Sequence, residues 1–168
     1  YLVAATPRFF TEDMMIKVAA VTPVDYKEFI QTYSYVLYPG PEEISEGSYR
    51  LHERIRNSIL QALGKLRTYS YVLDITKFLL SRFEESGQSI YLCEYIHVLS
   101  LIDEEKAFEE LKKWVEYYAQ KGAWDKFREL VDSFTPESRT YELWKFYYFV
   151  KLLVDKIGDF RKAIKTYG

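Results

Sequence analysis

One segment of the chain, between Tyr33 and Leu51, departs from the helical periodicity around it. Tyr35–Tyr38 is a short run of strand-forming residues, Pro39–Pro41 interrupts it, and Ser48–Leu51 resumes an extended pattern. This spacing predicts a β-hairpin with a long tip. Every later stretch of the sequence shows only helical periodicity, so the chain is expected to be mainly α-helical.

Two short helices are predicted ahead of the hairpin. Thr11 precedes two acidic residues, which is the pattern of an N-cap followed by an acidic first turn. Thr22 starts a second helix, with Pro23 at the first helical position and Asp25 at the third. Two short helices followed by a hairpin make a winged-helix plan, and we predict such a domain over residues 1–66.

The C-terminal part is predicted to be built from helical hairpins. Apolar residues recur every three or four positions from Asp103 to Lys121, and Gly122 closes that amphipathic helix. A second helix, Trp124–Phe134, follows almost without a loop, so the two are expected to pack antiparallel. A further helix is predicted from Thr135 to about Ile157.

These helices show a weak internal repeat. Gln120–Phe127 aligns with Lys156–Ala163 at a displacement of 36 residues, with a shared glycine, an aromatic residue and a lysine. Periods near 34 residues are typical of tetratricopeptide-like stacking. We therefore predict a tetratricopeptide-like antiparallel helical-repeat arm over residues 67–168, and an irregular helical bundle is the alternative.

Composition excludes several classes of protein. The chain has 23 basic and 25 acidic residues and a formal net charge of −2, so it lacks the basic excess usual for phosphate-backbone binding. Its single cysteine, Cys93, excludes a disulfide framework and a cysteine-based zinc site, and favours a reducing, cytoplasmic location. No apolar run approaches the roughly 20 residues that span a bilayer.

Charge also argues against DNA binding by the predicted winged helix. Its second helix, Pro23–Tyr33, carries Lys27 against two acidic residues, and the hairpin tip carries Glu42, Glu43 and Glu46. A groove-reading element normally brings several cations, because phosphate contacts supply most of the affinity. DNA is therefore not the expected partner.

The sequence offers little for catalysis. His97 lies in an apolar helical pattern, where a single histidine is usually a satisfied core residue, and pairs such as Glu84–Glu85 lie on outer helix faces. Neither a nucleophile elbow nor a zinc-protease helix motif occurs. We expect this chain not to be an enzyme by itself.

The junction after the hairpin resembles a known family. Ser48–Leu60 is similar to the end of the winged helix in signal-transducing regulatory ATPases, the STAND class, which includes plant disease-resistance proteins and many archaeal ATPases. Leu51-His52-Glu53 resembles their Met/Leu-His-Asp triplet, with Glu53 in place of Asp, and Ile55-Arg56 resembles the following helix. Tyr1–Ala5 and Phe9–Ile16 look like the opening of the same domain.

That resemblance implies a missing nucleotide domain. No Gly-x-x-x-x-Gly-Lys-Ser/Thr phosphate loop occurs in the 168 residues, and in the family this domain lies N-terminal to the winged helix. The family pattern implies that His52 contacts the β-phosphate of ADP and that ATP and ADP are cofactors of the parent protein. The alternative for His52 is a residue that only caps or packs at the strand-to-helix join.

The last long predicted helix suggests a partner surface. Leu143–Val154 is apolar or aromatic on all sides apart from two lysines, and such a helix must be covered on every side. Trp144, Tyr147 and Tyr148 are the candidate contacts for a protein partner or a second copy. Neighbouring repeats and a final helix from Asp159 are the alternative cover.

Together these patterns predict a non-catalytic regulatory and protein-interaction module of a nucleotide-switched ATPase. Its winged helix would relay the nucleotide state to a helical sensor arm, and its partners would be the P-loop domain of the same chain and a protein bound by the arm. The competing hypothesis is a winged-helix transcription regulator with a helical dimerisation region.

Overall fold

The structure, a computed structural model, describes residues 1–64 and 69–133, together with residues 145, 149–152, 155–156 and 158. The described residues are mainly α-helical and include a small two-stranded antiparallel sheet. The chain forms two compact units, Tyr1–Asp103 and Glu104–Gly168. The mainly helical class expected from the sequence is confirmed.

The first unit opens with three helices, α1 (Leu2–Ala5), α2 (Glu12–Ala19) and α3 (Pro23–Thr32). The Oγ1 of Thr11 accepts a hydrogen bond from the Met14 backbone N–H at 3.2 Å, which confirms the predicted N-cap of α2. Thr22 and Asp25 form the reciprocal capping box at the start of α3. Both helix starts were therefore encoded locally.

The predicted hairpin forms, although its first strand begins later than expected. A 3₁₀ turn at Ser34–Val36 leads out of α3, so only β1 (Leu37–Pro39) is left to pair with β2 (Tyr49–Leu51). The register places Tyr38 opposite Arg50. Phe10 adds an isolated antiparallel bridge to Tyr49, so three chain segments meet at this sheet.

Three longer helices complete the first unit: α4 (Glu53–Leu63), α5 (Ser70–Ser86) and α6 (Ser89–Ile102). A left-handed Gly87, with φ of +67°, ends α5 and allows the tight turn into α6. Ile75 and Leu79 of α5 are fully buried, and α5 packs against α1, α2 and α6. The domain boundary predicted near residue 66 thus lies inside this compact unit, because α5 uses its apolar face to complete the same core.

The second unit contains α7 (Glu104–Gln120) and α8 (Trp124–Ser133), which pack against each other. Their bounds agree with the predicted helices to within one residue at each end. Gly122, with φ of +67°, lies in the turn between them. Most of the helix predicted from Thr135 and most of the second repeat copy lie outside the described residues.

The core of the second unit explains the packing of this pair. Both helices turn apolar residues inward at helical spacing, and burial of each large side chain contributes about 1.5–3 kcal/mol. The buried residues are Ala107, Leu111, Val115 and Tyr118 of α7 and Phe127, Leu130 and Val131 of α8.

Candidate functional site

His52, the predicted phosphate contact, lies where β2 passes into α4. Its backbone N–H donates to the Val36 carbonyl at 2.9 Å, which extends the hairpin ladder by one residue. Its Nδ1 accepts a hydrogen bond from the Arg54 backbone N–H at 3.3 Å, so the imidazole is the N-cap of α4. The imidazole ring packs against the ring of Tyr38, with 5.6 Å between the two ring centroids.

This geometry assigns the proton on the neutral ring of His52. Because Nδ1 accepts from the backbone, the hydrogen of the neutral imidazole must be on Nε2. The part of the chain that the structure describes offers Nε2 no hydrogen-bond partner. His52 therefore caps the helix with one nitrogen and keeps an N–H donor on the other.

Around this join, the first unit contains a buried ion pair that sequence reasoning missed. Glu94 of α6 is 2% exposed, and its Oε2 lies 2.9 Å from Nε of Arg8. Its Oε1 accepts from the backbone N–H of Arg8 at 2.6 Å. One carboxylate thus holds both the main chain and the side chain of the segment that follows α1.

Arg56 and His97 extend that pair into a polar cluster, defined by Arg8, Arg56, Glu94 and His97. The guanidinium of Arg56 donates to the carbonyls of Thr6 at 2.9 Å and Pro7 at 3.1 Å, and its Nη2 lies 3.2 Å from Nε2 of His97. An arginine can only donate, so Nε2 of His97 must be the acceptor and must carry no proton.

The electrostatics of His97 agree with that assignment. Burial, followed by the positive charges of Arg8 and Arg56, lowers the pKa of His97 to about 3. The imidazole is therefore neutral at physiological pH and serves as a structural acceptor rather than as a general acid or base. The satisfied core histidine expected from the sequence fits this environment.

Glu94 had a signal in the sequence that could have pointed to its burial. It is the one charged residue in the apolar run Ile90–Ile96 of α6, and charged residues are almost never fully buried unless they are paired. Its partner could not be found by inspection, since Arg8 lies 86 positions earlier. Cys93, next to Glu94, is a buried cysteine outside any disulfide.

The tip of the hairpin is also held in place. Glu46 accepts from Nη2 of Arg82 at 2.5 Å and from the hydroxyl of Tyr91 at 3.3 Å. Gln88, in the α5–α6 turn, donates to the Glu43 carbonyl at 3.4 Å, and Ile44 is buried. The bond to Glu46 raises the pKa of Arg82, so the guanidinium stays charged. We call these contacts the tip clasp.

An open cavity of about 480 Å³ lies beside α1, α2 and α3. Its lining is mostly apolar and aromatic and includes Met15, Tyr26 and Phe29. Asp25, also on the lining, is bound in the capping box, and its pKa is lowered by the Thr22 hydroxyl and backbone. The lining residues include no nucleophile with an adjacent base.

The predicted partner contacts Trp144, Tyr147 and Tyr148 lie outside the described residues. Nearby residues that are described are helical, and two of them expose large apolar side chains: Phe149 is 58% exposed and Leu152 is 61% exposed. Val150 between them is buried. Within the described helical residues 149–152, exposed and buried apolar side chains thus lie next to each other.

In residues 1–64, 69–133 and the short described pieces beyond, no group of three histidine, cysteine, aspartate or glutamate side chains could hold a metal ion. None of the helices described there combines the length and apolar character needed to cross a bilayer. Comparisons with protein-family models, curated proteins and solved structures give no match for this chain.

Proposed function

We propose that the chain is a non-catalytic regulatory module of a larger nucleotide-switched ATPase. Its winged-helix part would relay the nucleotide state to a helical arm, and this arm would bind a protein partner. The order of elements supports the winged-helix part. A helix, the Phe10 bridge, helices α2 and α3, and the β1–β2 hairpin follow one another in that sequence.

The observation that carries the proposal is the position of Arg56. It lies one helical turn after His52, since its backbone N–H donates to the His52 carbonyl at 3.0 Å. Its guanidinium joins α4 to the segment after α1 and, through His97, to α6. A displacement of α4 at His52 would therefore be transmitted to two other elements by a charged, hydrogen-bonded side chain.

The tip clasp supports a lever in preference to a DNA reader. A hairpin tip that reads DNA presents free cations to the phosphate backbone. Here Glu46 at the tip is bound to Arg82 and Tyr91, so the tip is attached to α5 and α6. The hairpin and these helices would move as one body.

The chemistry of His52 suits a contact with a diphosphate. A phosphate oxygen is an acceptor, and Nε2–H of His52 is a donor with no partner in the described residues. The same imidazole starts α4, so a ligand at Nε2 would pull directly on the end of the helix that carries Arg56. ADP bound by the P-loop domain of the parent protein is the proposed ligand.

A substitution that preserves the N-cap of α4 tests whether His52 binds phosphate. His52→Asp preserves the N-cap, because aspartate is among the best capping residues, but it places a carboxylate where the phosphate would lie. In the full open reading frame product, we expect His52→Asp to weaken ADP binding roughly tenfold or more, with little change in thermal stability. His52→Asn also caps the helix and keeps an N–H donor, so its ADP affinity should fall much less.

Two results would overturn the proposal. One is an open reading frame that encodes no phosphate loop upstream of Tyr1. The other is equal ADP affinity for the wild type, His52→Asp and His52→Asn, which would leave His52 as a cap alone. Tight, salt-sensitive binding of the chain to duplex DNA in an electrophoretic shift would favour the transcription-regulator hypothesis instead.

A further inference from the structure

The exposed face of the hairpin presents a second cationic group beside His52. Residues directly opposite in an antiparallel pair share a face, and side chains two apart along a strand share it as well. The register pairs Tyr38 with Arg50, and His52 follows Arg50 by two positions with the ladder still intact at Val36. Tyr38, Arg50 and His52 therefore lie on one face.

The ring contact between Tyr38 and His52 confirms this placement, with 5.6 Å between centroids. Leu51, on the opposite face, is 5% exposed and belongs to the core. Tyr38 is 46% exposed and Arg50 is also exposed. The face that carries the imidazole is thus the one that a ligand or another domain can reach.

Arg50 has no anionic partner within the described residues. The ion pairs formed within those ranges involve other cations, and the nearest acidic neighbour in sequence, Glu53, lies beyond the strand. Arg54, whose backbone N–H donates to Nδ1 of His52, is also exposed and makes no ion pair within the described residues. The face that carries the His52 imidazole therefore also carries the guanidinium of Arg50 without an ion-pair partner in the described residues.

We propose that Arg50 is a second phosphate-binding residue, which acts with His52 on the diphosphate of a nucleotide held by the P-loop domain, and that Tyr38 positions the His52 ring. This inference rests on the proposed function. Its basis is charge complementarity: a diphosphate presents several anionic oxygens, and a guanidinium fork matches such oxygens in a bidentate manner. The imidazole alone would supply a single neutral donor.

The first test measures ADP affinity of the full open reading frame product. We expect Arg50→Gln to weaken ADP binding roughly tenfold or more, as for loss of a charged hydrogen bond. Lys27→Gln is the matched control, because Lys27 is another exposed cation of the same unit and lies on α3 rather than on the hairpin. It should leave the affinity within about twofold of the wild type.

Tyr38 is tested by its role as a positioning residue. Tyr38→Phe retains the ring and should keep the ADP affinity, whereas Tyr38→Ser should lower it. Tyr35→Ser is the matched control, since Tyr35 is a 76% exposed tyrosine just before β1. In the Tyr38→Ser variant we also expect the ¹⁵N chemical shifts of the His52 ring to change by more than the loss of the neighbouring ring current alone would cause, because the ring changes its orientation and hydrogen bonding.

The outcomes separate this inference from the proposed function. If His52→Asp weakens ADP binding but Arg50→Gln behaves like Lys27→Gln, the role of Arg50 is wrong and the proposed function stands. If neither variant changes the affinity, both are wrong. If Arg50→Gln instead weakens salt-sensitive binding of the chain to duplex DNA, the face serves nucleic acid and the nucleotide assignment is wrong.

A second test does not depend on the P-loop domain. Titration of the 168-residue chain with inorganic pyrophosphate, followed by NMR, should shift the resonances of Arg50 and His52 and leave those of Lys27 unchanged. Arg50→Gln should abolish the shift at His52 or move it to higher pyrophosphate concentration. No shift at either residue up to tens of millimolar pyrophosphate would overturn the two-residue phosphate face.

Discussion

Glu94 binds Arg8 twice: one carboxylate oxygen accepts from the backbone N–H of Arg8 at 2.6 Å and the other lies 2.9 Å from its Nε. The two partners differ sharply in exposure, because the side chain of Glu94 is 2% exposed and that of Arg8 is 37% exposed. Removal of Arg8 and removal of Glu94 should therefore change the free energy of unfolding by different amounts.

Arg8→Met is expected to destabilise the protein more than Glu94→Gln. The first variant leaves a buried carboxylate without its cation, at a cost of about 3 kcal/mol in the free energy of unfolding. The second leaves Arg8 able to hydrate and retains an acceptor for its backbone N–H. Urea denaturation of both variants and of the double variant measures this. An equal loss in the two single variants would contradict the assigned burial.

His97 should make stability depend on pH. Its pKa in the folded state, about 3, is below the value of an exposed histidine, so between roughly pH 6.5 and pH 3 the unfolded chain binds a proton that the folded chain does not. The folded state therefore loses stability as pH falls through that window, by at most about 1.4 kcal/mol per pH unit. Above about pH 6.5, the contribution of His97 to the free energy of unfolding is fully present and no longer changes with pH.

The matched variant for this prediction is His97→Gln, which keeps a side-chain acceptor for Arg56 but does not titrate. Between pH 7 and pH 5, the unfolding free energy of the wild type should fall more steeply than that of His97→Gln. Parallel curves for the two proteins would show that His97 is not held neutral by burial and by Arg8 and Arg56.

The tip clasp should control the dynamics of the hairpin loop more than global stability. Glu46→Gln removes the charge bound by Arg82, and since both side chains are partly exposed the expected loss is below about 1 kcal/mol. Amide exchange should nevertheless speed up at Gly47, which donates to the Ile44 carbonyl, because the loop is released from α5 and α6. Glu42→Gln, at an exposed tip residue outside the clasp, is the control and should leave the exchange rate unchanged.

The exposed apolar side chains of Phe149 and Leu152 predict association. Sedimentation velocity of the chain should show a concentration-dependent larger species, and Phe149→Glu should shift it to monomer, because Phe149 is 58% exposed. Leu73→Glu is the control, since Leu73 is a 49% exposed apolar residue on α5. Trp144→Glu extends the test to the partner contacts predicted from the sequence. A monomer at all concentrations would contradict the self-association hypothesis.

Features that depend on neighbouring residues were readable from the sequence. Thr11 and Thr22 begin helices because a side-chain oxygen three positions upstream satisfies an orphan backbone N–H, and that bond requires no distant partner. Gly122 closes α7 by the same local logic. His52 could be singled out by its motif and by its place at the end of β2, which also marks it as a cap.

Tertiary structure alone decided which polar groups meet. Arg56 is an ordinary position on an amphipathic helix, yet its guanidinium reaches His97, 41 residues later, as well as two carbonyls near 50 residues earlier. The start of β1, by contrast, is set locally, since the exit turn of α3 occupies Ser34–Val36 and is closed by the bond from the Val36 N–H to the Tyr33 carbonyl. Helix caps and turns are fixed by bonds within a few residues, whereas a buried ion pair exists only where packing has already excluded water from both partners, and no local pattern encodes that exclusion.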